Sequence, residues 1–249
     1  MLNRHSRLYS LRHSARYWKQ VKARLLESRE IAPEIRHFVF ELPEAREFLF
    51  IPGQWLSCEE TVNGEPVTRA YSIASPPDGN RFELCLNRVR DGHLSPYLFS
   101  LQPGDLVEMR GPFGTFVLRE PPNDSLLVAT GTGIAPFRAM LPARLAKNSS
   151  SPMTLLFGVR HEHSLLYRDE FEALAATHPN FRFWPTLTRP EPSWTGRTGR
   201  VQQHLTEAIG TRRDLDVYIC GLREMVDSVR AMLKSSGFER PHIIYEKYD

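Results

Sequence analysis

The hydrophobic periodicity of this chain changes near residue 120, and that change limits what the chain can fold into. Between about residues 19 and 119, apolar and polar residues alternate with a period of two, which is the spacing of β-strands. After Pro121–Asp124, which resembles a linker, continuous apolar runs alternate with segments of helical period. One sheet or one helical bundle cannot satisfy both patterns, so the 249 residues are expected to form two domains.

The first segment, residues 19–120, predicts an antiparallel β-barrel. The run "RFELCLNRV" places Phe82, Leu84 and Leu86 on one face of a strand, opposite a mainly polar face. Pairs of Pro, Asn or Asp with Gly separate runs of this kind at the spacing typical of a small barrel. One helical turn, "HLSPYLFSL", interrupts the strands, with Ser95 expected as its N-cap.

The second segment, residues 125–249, predicts a doubly wound α/β domain built on a parallel sheet. The expected strands are "SLLVAT", "TLLFGV", "FRFWPTLT", "DVYIC" and "HIIYEKY", with helices between them. The turn "GTGIAP" leads into a helix near Pro136, where Gly131 and Gly133 allow the backbone to approach a pyrophosphate. Because Pro136 holds the third glycine position of the usual fingerprint, an ordinary tight turn explains the motif equally well.

Composition excludes several classes of function. A net charge of +3 is mild and argues against a dedicated nucleic-acid binder. Three scattered cysteines cannot supply the four thiolates of an iron–sulfur cluster, and no metal site is expected. The small number of cysteines favours a reducing compartment. No apolar run reaches the length of about 18 residues that a membrane span requires.

The N-terminus is basic: the first 26 residues contain seven Lys or Arg residues and no Asp or Glu. This composition is similar to that of a mitochondrial transit peptide. We favour a basic arm, residues 1–18, on a bacterial cytoplasmic protein, because "YWKQVKARLLESREI" already begins the first predicted strand.

The stretch "RAYSIAS", Arg69–Ser75, combines a cation and a flat ring on one face of a predicted strand. Such a pair suits a ligand that is anionic at one end and aromatic at the other. Alone, the heptad is explained as well by an edge strand with an exposed arginine and a core tyrosine.

Five motifs occur together in order: R-x-Y-S, "DGHLSPYL", strand–"GTGIAP", "YICG" and "YEKY". From residue 20 onward this pattern resembles the ferredoxin–NADP reductase superfamily, and within it the stand-alone bacterial ferredoxin/flavodoxin–NADP reductases. The resemblance implies an FAD-dependent oxidoreductase that transfers hydride between NADP(H) and flavin. It also implies single-electron transfer to a small carrier protein such as ferredoxin or flavodoxin, and a monomer is expected.

By this resemblance, Arg69 meets the FAD pyrophosphate, the Tyr71 ring packs on the isoalloxazine, and Ser72 lies beside flavin N5. The turn "GHLS" binds the second phosphate, and Tyr248 covers the flavin face that nicotinamide must reach. The expected FAD-binding residues are Arg69, Ala70, Tyr71, Ser72, Asn87, Gly92, His93, Leu94, Ser95, Thr132 and Tyr248.

The resemblance also implies a nicotinamide-nucleotide site, and Arg189 and Arg200 favour NADP over NAD because cations suit the 2′-phosphate. The expected residues are Gly131, Thr132, Gly133, Arg160, Thr188, Arg189, Arg200, Cys220, Gly221 and Met225. The expected catalytic residues are Ser72, Cys220 and Glu246.

Two other functions remain open on the sequence alone. One is the reductase component of an oxygenase-type complex, in which a partner protein holds the metal cluster. The other is a flavin-binding electron-transfer or regulatory subunit that does not use nicotinamide. The second is favoured by Leu222-Arg223, which stands where the family commonly has a proline after Cys-Gly.

Overall fold

Two six-stranded sheets, one antiparallel and one parallel, form the protein. The computed structural model describes residues 19–62, 64–147 and 150–248, and the predicted arm 1–18 lies outside them. None of the helices in these described residues is long and apolar enough to cross a membrane.

The antiparallel sheet is the predicted barrel. Its strands are β1 Lys19–Ala32, β2 Ile35–Glu41, β3 Trp55–Val62, β4 Glu65–Ser72, β5 Arg81–Asn87 and β6 Leu106–Phe113. They follow the order β4-β3-β6-β1-β2-β5. An antiparallel bridge between Ile73 and Leu84 joins the two outer strands and closes the barrel.

The barrel interior is filled by the alternating apolar residues that the sequence pattern predicts. Phe40 on β2 lies directly opposite Phe82 on β5, and their rings stack with centroids 5.5 Å apart. Helix α1, Leu94–Ser100, adds Leu94 and Leu98 to the same core. A one-residue shift in strand pairing would turn these large side chains out of the core, so their burial fixes the register of the strands.

The parallel sheet is the predicted doubly wound domain. Its strands are β7 Ser125–Thr130, β8 Met153–Val159, β9 Phe181–Leu187, β10 Arg197–Thr198, β11 Asp216–Leu222 and β12 Ile243–Tyr248. The helices are α2 Ala135–Leu145, α3 Arg168–Thr177, α4 Val201–Ile209 and α5 Arg223–Ser235. The strand order is β10-β9-β8-β7-β11-β12, with every neighbouring pair parallel.

Both faces of this sheet are covered, which explains the continuous apolar runs of its strands. Leu127 and Ala129 of β7 pack on the side of α2 and α3, in one apolar cluster. Leu126 and Val128 pack on the side of α4 and α5, in another. The doubly wound prediction is therefore confirmed, while the short strand β10 was not predicted.

The N-cap prediction for Ser95 is wrong. Helix α1 begins at Leu94, with His93 in the N-cap position, so Ser95 lies inside the first turn. The Ser95 hydroxyl is buried and accepts a hydrogen bond from the Val89 backbone N–H at 2.9 Å. That bond fixes the preceding loop instead of the end of the helix.

The barrel and the parallel sheet share part of their apolar core. Ala74, Cys85 and Phe116 from the barrel side belong to the same buried cluster as Phe137 of α2. The rings of Phe116 and Phe137 meet edge to face at a centroid distance of 5.8 Å. The change in hydrophobic period predicted two domains at 19–120 and 125–249, and these boundaries stay a prediction.

Candidate active site

Four of the predicted site residues meet where strands from both sheets end. The Ser72 hydroxyl, at the end of β4, donates to Glu246 Oε1 of β12 at 2.9 Å. The Tyr248 hydroxyl, two residues further along β12, donates to Ser72 Oγ at 2.7 Å. Cys220 lies on β11 opposite Glu246 in the strand register, and its thiol lies close enough to the Tyr248 hydroxyl for each to affect the pKa of the other.

The surroundings of this cluster decide which of its groups carry charge. Burial raises the pKa of Glu246, while the hydrogen bond from Ser72 lowers it. Burial, followed by the nearby Glu246 carboxylate, raises the pKa of the Cys220 thiol well above its usual value. The pKa of Tyr248 is raised for the same first reason. The thiol and the phenol are thus neutral, and Glu246 is the carboxyl group of this cluster, with a pKa above its usual value.

The turn Gly131–Ile134 packs against the end of β11 so closely that two glycines are required. A Cβ on Gly133 would overlap the backbone carbonyl of Cys220 and lie 2.8 Å from the Gly221 Cα. A Cβ on Gly221, whose φ is +150°, would meet Thr130 Oγ1 at 2.5 Å and Met225 Cε at 2.8 Å. Because Gly133 and Gly221 have no side chains, the turn Gly131–Ile134 can lie directly against Cys220 and Met225. We call this arrangement the cradle.

The predicted phosphate-binding cations lie along the same edge of the parallel sheet. Arg160 follows β8 and Arg189 follows β9, and the Arg189 backbone N–H donates to the Arg160 carbonyl at 2.8 Å. Thr188 is exposed beside them. Arg200 precedes α4, where its backbone N–H donates to Gln203 Oε1 at 2.8 Å.

The side chains of Arg160, Arg189 and Arg200 are exposed, and none has a hydrogen-bond or ion-pair partner among residues 19–62, 64–147 and 150–248. Arg197 is different, because it forms a two-pronged ion pair with Glu207 at 2.8 Å for each bond. The first three are thus available to an anion, whereas Arg197 is already paired.

The predicted FAD residues lie on the barrel. Arg69 is exposed and donates to the Thr68 carbonyl at 2.8 Å, while Tyr71 packs against the barrel core. The other predicted FAD residues of the barrel divide by exposure: Ala70, Asn87 and His93 are exposed, Gly92 is half-buried, and Leu94 and Ser95 are buried. Helix α1 packs against β3 and β4, which brings the end of the "GHLS" turn to the sheet that carries Arg69.

Sequence reasoning missed Arg138, which lies on α2 in the middle of an otherwise apolar stretch. Its guanidinium reaches from the nucleotide-binding side of the molecule to the barrel, where it donates to the Ala74 carbonyl at 2.9 Å. A cation between the apolar residues Phe137 and Ala139 was the available signal, because such a residue is seldom buried without partners.

Two family models together cover most of the chain. The Oxidoreductase FAD-binding domain matches residues 22–118, and the Oxidoreductase NAD-binding domain matches residues 127–231. Ferredoxin--NADP reductase B of Sorangium cellulosum is 43% identical over 238 residues, which span 92% of this chain and 97% of that protein.

Two further proteins are similar over most of this chain. The toluate 1,2-dioxygenase electron transfer component of Pseudomonas putida is 34% identical over 200 residues, covering 80% of this chain and 59% of that protein. The crystal structure of an Amycolatopsis cytochrome P450 reductase, GcoB, has a TM-score of 0.83 at 30% identity, covering 92% of this chain and 69% of that one. The chain belongs to the ferredoxin–NADP reductase superfamily and is a flavoprotein oxidoreductase with an FAD-binding barrel and a nicotinamide-nucleotide-binding α/β domain.

Proposed function

We propose that this protein is an FAD-dependent reductase that transfers hydride between NADP(H) and flavin and passes electrons singly to a small carrier protein. Ferredoxin and flavodoxin are the proposed carriers. One observation carries the proposal: Ser72 from the FAD-binding barrel is hydrogen-bonded to both Glu246 and Tyr248 from the nucleotide domain. The 43% identity to a ferredoxin–NADP reductase supports the same reaction.

Bound FAD supplies the redox chemistry, since a flavin accepts a hydride from nicotinamide and releases electrons one at a time. The protein positions the reactants and handles the proton. Ser72 both donates to Glu246 and accepts from Tyr248, so its hydroxyl can relay a proton between the Glu246 carboxyl and a reacting atom beside it. The neutral Cys220 thiol borders the same space without adding charge.

For FAD, the proposed anchors are the exposed Arg69 guanidinium, which suits a phosphate fork, and the Tyr71 ring, which suits a flat heterocycle. The loop Gly92–Ser95 and Asn87 complete the proposed set on the barrel. The Ser95 hydroxyl already accepts one bond from Val89 N–H and keeps its own hydrogen as a donor to a phosphate.

For the nicotinamide nucleotide, the proposed cradle is the turn Gly131–Gly133 against Cys220–Gly221, closed by Met225. A Cβ at Gly133 or Gly221 would strike Cys220, Thr130 or Met225, so both glycines are needed to keep the turn against the end of β11. The unpaired guanidiniums of Arg160, Arg189 and Arg200 support NADP, because the 2′-phosphate needs cations. We propose that Thr188 contributes a hydroxyl to the same phosphate.

An electron-carrier partner is common to the reductases and electron-transfer components that this chain resembles. A monomeric reductase in the bacterial cytoplasm is our proposal for the finer picture. The three cysteines, Cys58, Cys85 and Cys220, are all buried thiols, which a reducing compartment maintains.

The reductase component of an oxygenase-type complex is the second candidate. It is favoured by the 34% identity to the toluate dioxygenase component, although this chain spans only 59% of that protein. The two candidates share flavin chemistry and differ in the protein that receives the electrons.

One anaerobic experiment tests the proposal. Purified protein is mixed with NADPH or NADH, and the loss of flavin absorbance is followed before oxidised ferredoxin or flavodoxin is added. We expect NADPH to bleach the flavin faster than NADH, and a carrier to restore the colour. Bleaching that only an oxygenase-type partner reverses would select the second candidate. A flavin that neither nucleotide reduces would disprove both.

A further inference from the structure

Arg138 connects the helix that follows the nucleotide-binding turn to the barrel. It lies on the first turn of α2, and its side chain is only 14% exposed. The guanidinium is paired with two carboxylates, Glu83 and Glu170, and its centre lies 4.3 Å from the centroid of the Tyr167 ring. Every face of this buried cation is therefore matched by an acceptor or an aromatic ring.

The partners of Arg138 belong to different domains. Glu170, on α3, is in the nucleotide domain and receives bonds from Nε at 2.7 Å and from Nη2 at 3.1 Å. Glu83, on β5, is in the barrel and is paired with Nη1. Nη1 also donates to the backbone carbonyl of Ala74 at 2.9 Å. The Arg138 guanidinium thus forms hydrogen bonds to residues of both domains.

A second contact crosses the boundary beside it. The Tyr167 hydroxyl, next to α3, is 2.9 Å from Nδ1 of His37 on β2, and the His37 side chain is only 4% exposed. Tyr167 holds a left-handed backbone conformation with φ of +57°, which is unfavourable for a tyrosine without compensation. Its ring lies under Arg138 and its hydroxyl on His37, so the two contacts form one buried cluster.

This cluster is connected to Ser72 through very few bonds. Ala74, whose carbonyl Arg138 binds, is two residues from Ser72 along the same segment. The Ala74 backbone N–H donates to the Glu83 carbonyl at 2.8 Å, and the Glu83 N–H donates to Ser75 Oγ at 3.1 Å. Arg138 therefore holds both the segment that carries Ser72 and the strand that supports it.

We propose that Arg138 is a positioning residue for hydride transfer: it fixes the Ser72 segment of the barrel against the nucleotide domain, which carries Glu246, Tyr248 and Cys220. The inference rests on the proposed function for its kinetic consequence. Hydride transfer is sensitive to placement, since a displacement of about 1 Å can cost about 100-fold in rate. Arg138 acts by setting the distance between two halves of the site and touches neither reactant.

The two carboxylates of the cluster provide a matched pair of variants. Glu83→Gln weakens the contact across the boundary, while Glu170→Gln makes the same chemical change within the nucleotide domain. At saturating NADPH, we expect Glu83→Gln to slow flavin reduction by about 10- to 100-fold, with FAD content and NADPH affinity unchanged. Glu170→Gln should stay near the wild-type rate.

Arg138→Lys and Arg230→Met extend the comparison. A lysine keeps the charge but cannot fork to three acceptors at once, so Arg138→Lys should lose most of the rate. Arg230 on α5 is paired with Asp227 and stacks 3.6 Å from the Tyr245 ring centroid, with all of these partners inside the nucleotide domain. Arg230→Met should therefore leave the rate unchanged.

Amide hydrogen exchange tests the same contact without any nicotinamide. In Glu83→Gln and Arg138→Lys, the Ala74 amide should exchange about tenfold faster, as expected when a charged hydrogen bond that holds its segment is lost. In Glu170→Gln and Arg230→Met it should be protected as in the wild type. This readout stands even if NADPH fails to reduce the wild-type flavin, an outcome that would disprove the proposed function alone.

Two results would overturn the inference. Equal reduction rates in Glu83→Gln and Glu170→Gln would show that the contact across the boundary has no kinetic role. Unchanged exchange at Ala74 in both Glu83→Gln and Arg138→Lys would show that Arg138 does not hold this segment.

Discussion

At the scale of single residues, Ser72 is the hydroxyl on which the proposed proton traffic depends. It is 5% exposed and uses its oxygen both as acceptor from Tyr248 and as donor to Glu246. No other side chain present in this cluster can do both while remaining small enough to lie beside a flat cofactor.

Ser72→Ala should therefore bind FAD normally and reduce it slowly. General acid–base assistance is typically worth about 10²- to 10⁴-fold, and we expect a loss in that range. Stopped-flow absorbance with excess NADPH measures the rate, and Ser57→Ala is the control because Ser57 is also a buried barrel serine, 7% exposed, outside the cluster. A Ser72→Ala rate equal to that of the control would make the Ser72 hydroxyl merely structural.

The family resemblance implied Ser72, Cys220, Glu246 and Tyr248 as site residues, and the structure brings these four together. They were predictable because each lies in a short motif at the end of a strand. Arg138 was not, because its partners are 32, 55 and 64 positions away along the chain. The contacts with Glu83 and Ala74 depend on how the two domains pack, and the contact with Glu170 depends on how two helices pack, which the local sequence around Arg138 does not encode.

At the scale of elements, the turn Gly131–Ile134 packs closely against the end of β11 in the proposed nucleotide site. Gly133 has an ordinary negative or extended φ, so it is required for space and not for backbone conformation. A methyl group there would strike the backbone of Cys220 and Gly221, which cannot move without displacing the strand.

Gly133→Ala should lower both stability and nucleotide binding. Overpacking of this kind costs about 1–3 kcal/mol of unfolding free energy, and the displaced turn should weaken NADPH affinity as well. Chemical unfolding and equilibrium titration measure the two effects. Gly210→Ala is the control, because Gly210 has φ of +53° and open space around its Cβ position, so that variant should lose stability only. Unchanged NADPH affinity in Gly133→Ala would contradict the proposed cradle.

Element prediction succeeded where hydrophobic period was strong and failed where local bonds decide. The strands of both sheets follow the alternating or continuous apolar patterns. Strand β10 has only two residues, Arg197–Thr198, too few to show a period. The start of α1 was misplaced because the Ser95 hydroxyl bonds to the Val89 backbone, a contact that its sequence position does not reveal.

At the scale of the whole molecule, the two domains are joined by both an apolar and a polar contact. The apolar part continues the core of the parallel sheet into the barrel through Ala32, Ala74, Cys85 and Phe116. The polar part is the cluster of His37, Arg138 and Tyr167 with its carboxylates. Burial of apolar surface stabilises the contact between the domains but does not depend on direction. The hydrogen bonds of the polar cluster do depend on direction, so they are suited to fixing the orientation of one domain on the other.

His37 makes that polar contact sensitive to acid. Burial, and then the positive charges of Arg138 and Arg29, lower the pKa of His37 to about 4. Glu83 Oε2 lies 3.6 Å from Nε2 and would raise the pKa, but this carboxylate is already paired with Arg138. The charged or titratable groups around the ring are Arg29 on β1, Glu83 and Cys85 on β5, Arg138 on α2, Tyr167, and Glu170 on α3.

Acid should therefore destabilise the protein through His37. An unfolded histidine binds its proton below about pH 6.5, whereas folded His37 resists protonation until about pH 4, so the unfolded state binds more protons between these values. The stabilisation from neutral His37 is complete above about pH 6.5 and declines as the pH falls towards 4, by up to about 3 kcal/mol. His37→Asn cannot titrate at this position, so its unfolding free energy should fall less steeply as the pH drops through this window. The difference in slope should correspond to the uptake of about one proton on unfolding. Urea unfolding at several pH values measures the slopes, and NMR of His37 should give a titration midpoint near 4. Equal slopes, or a midpoint at 6.5, would show that His37 does not make stability depend on pH. A midpoint above 6.5 would show that the Glu83 carboxylate outweighs burial and that the contact between the domains strengthens in acid.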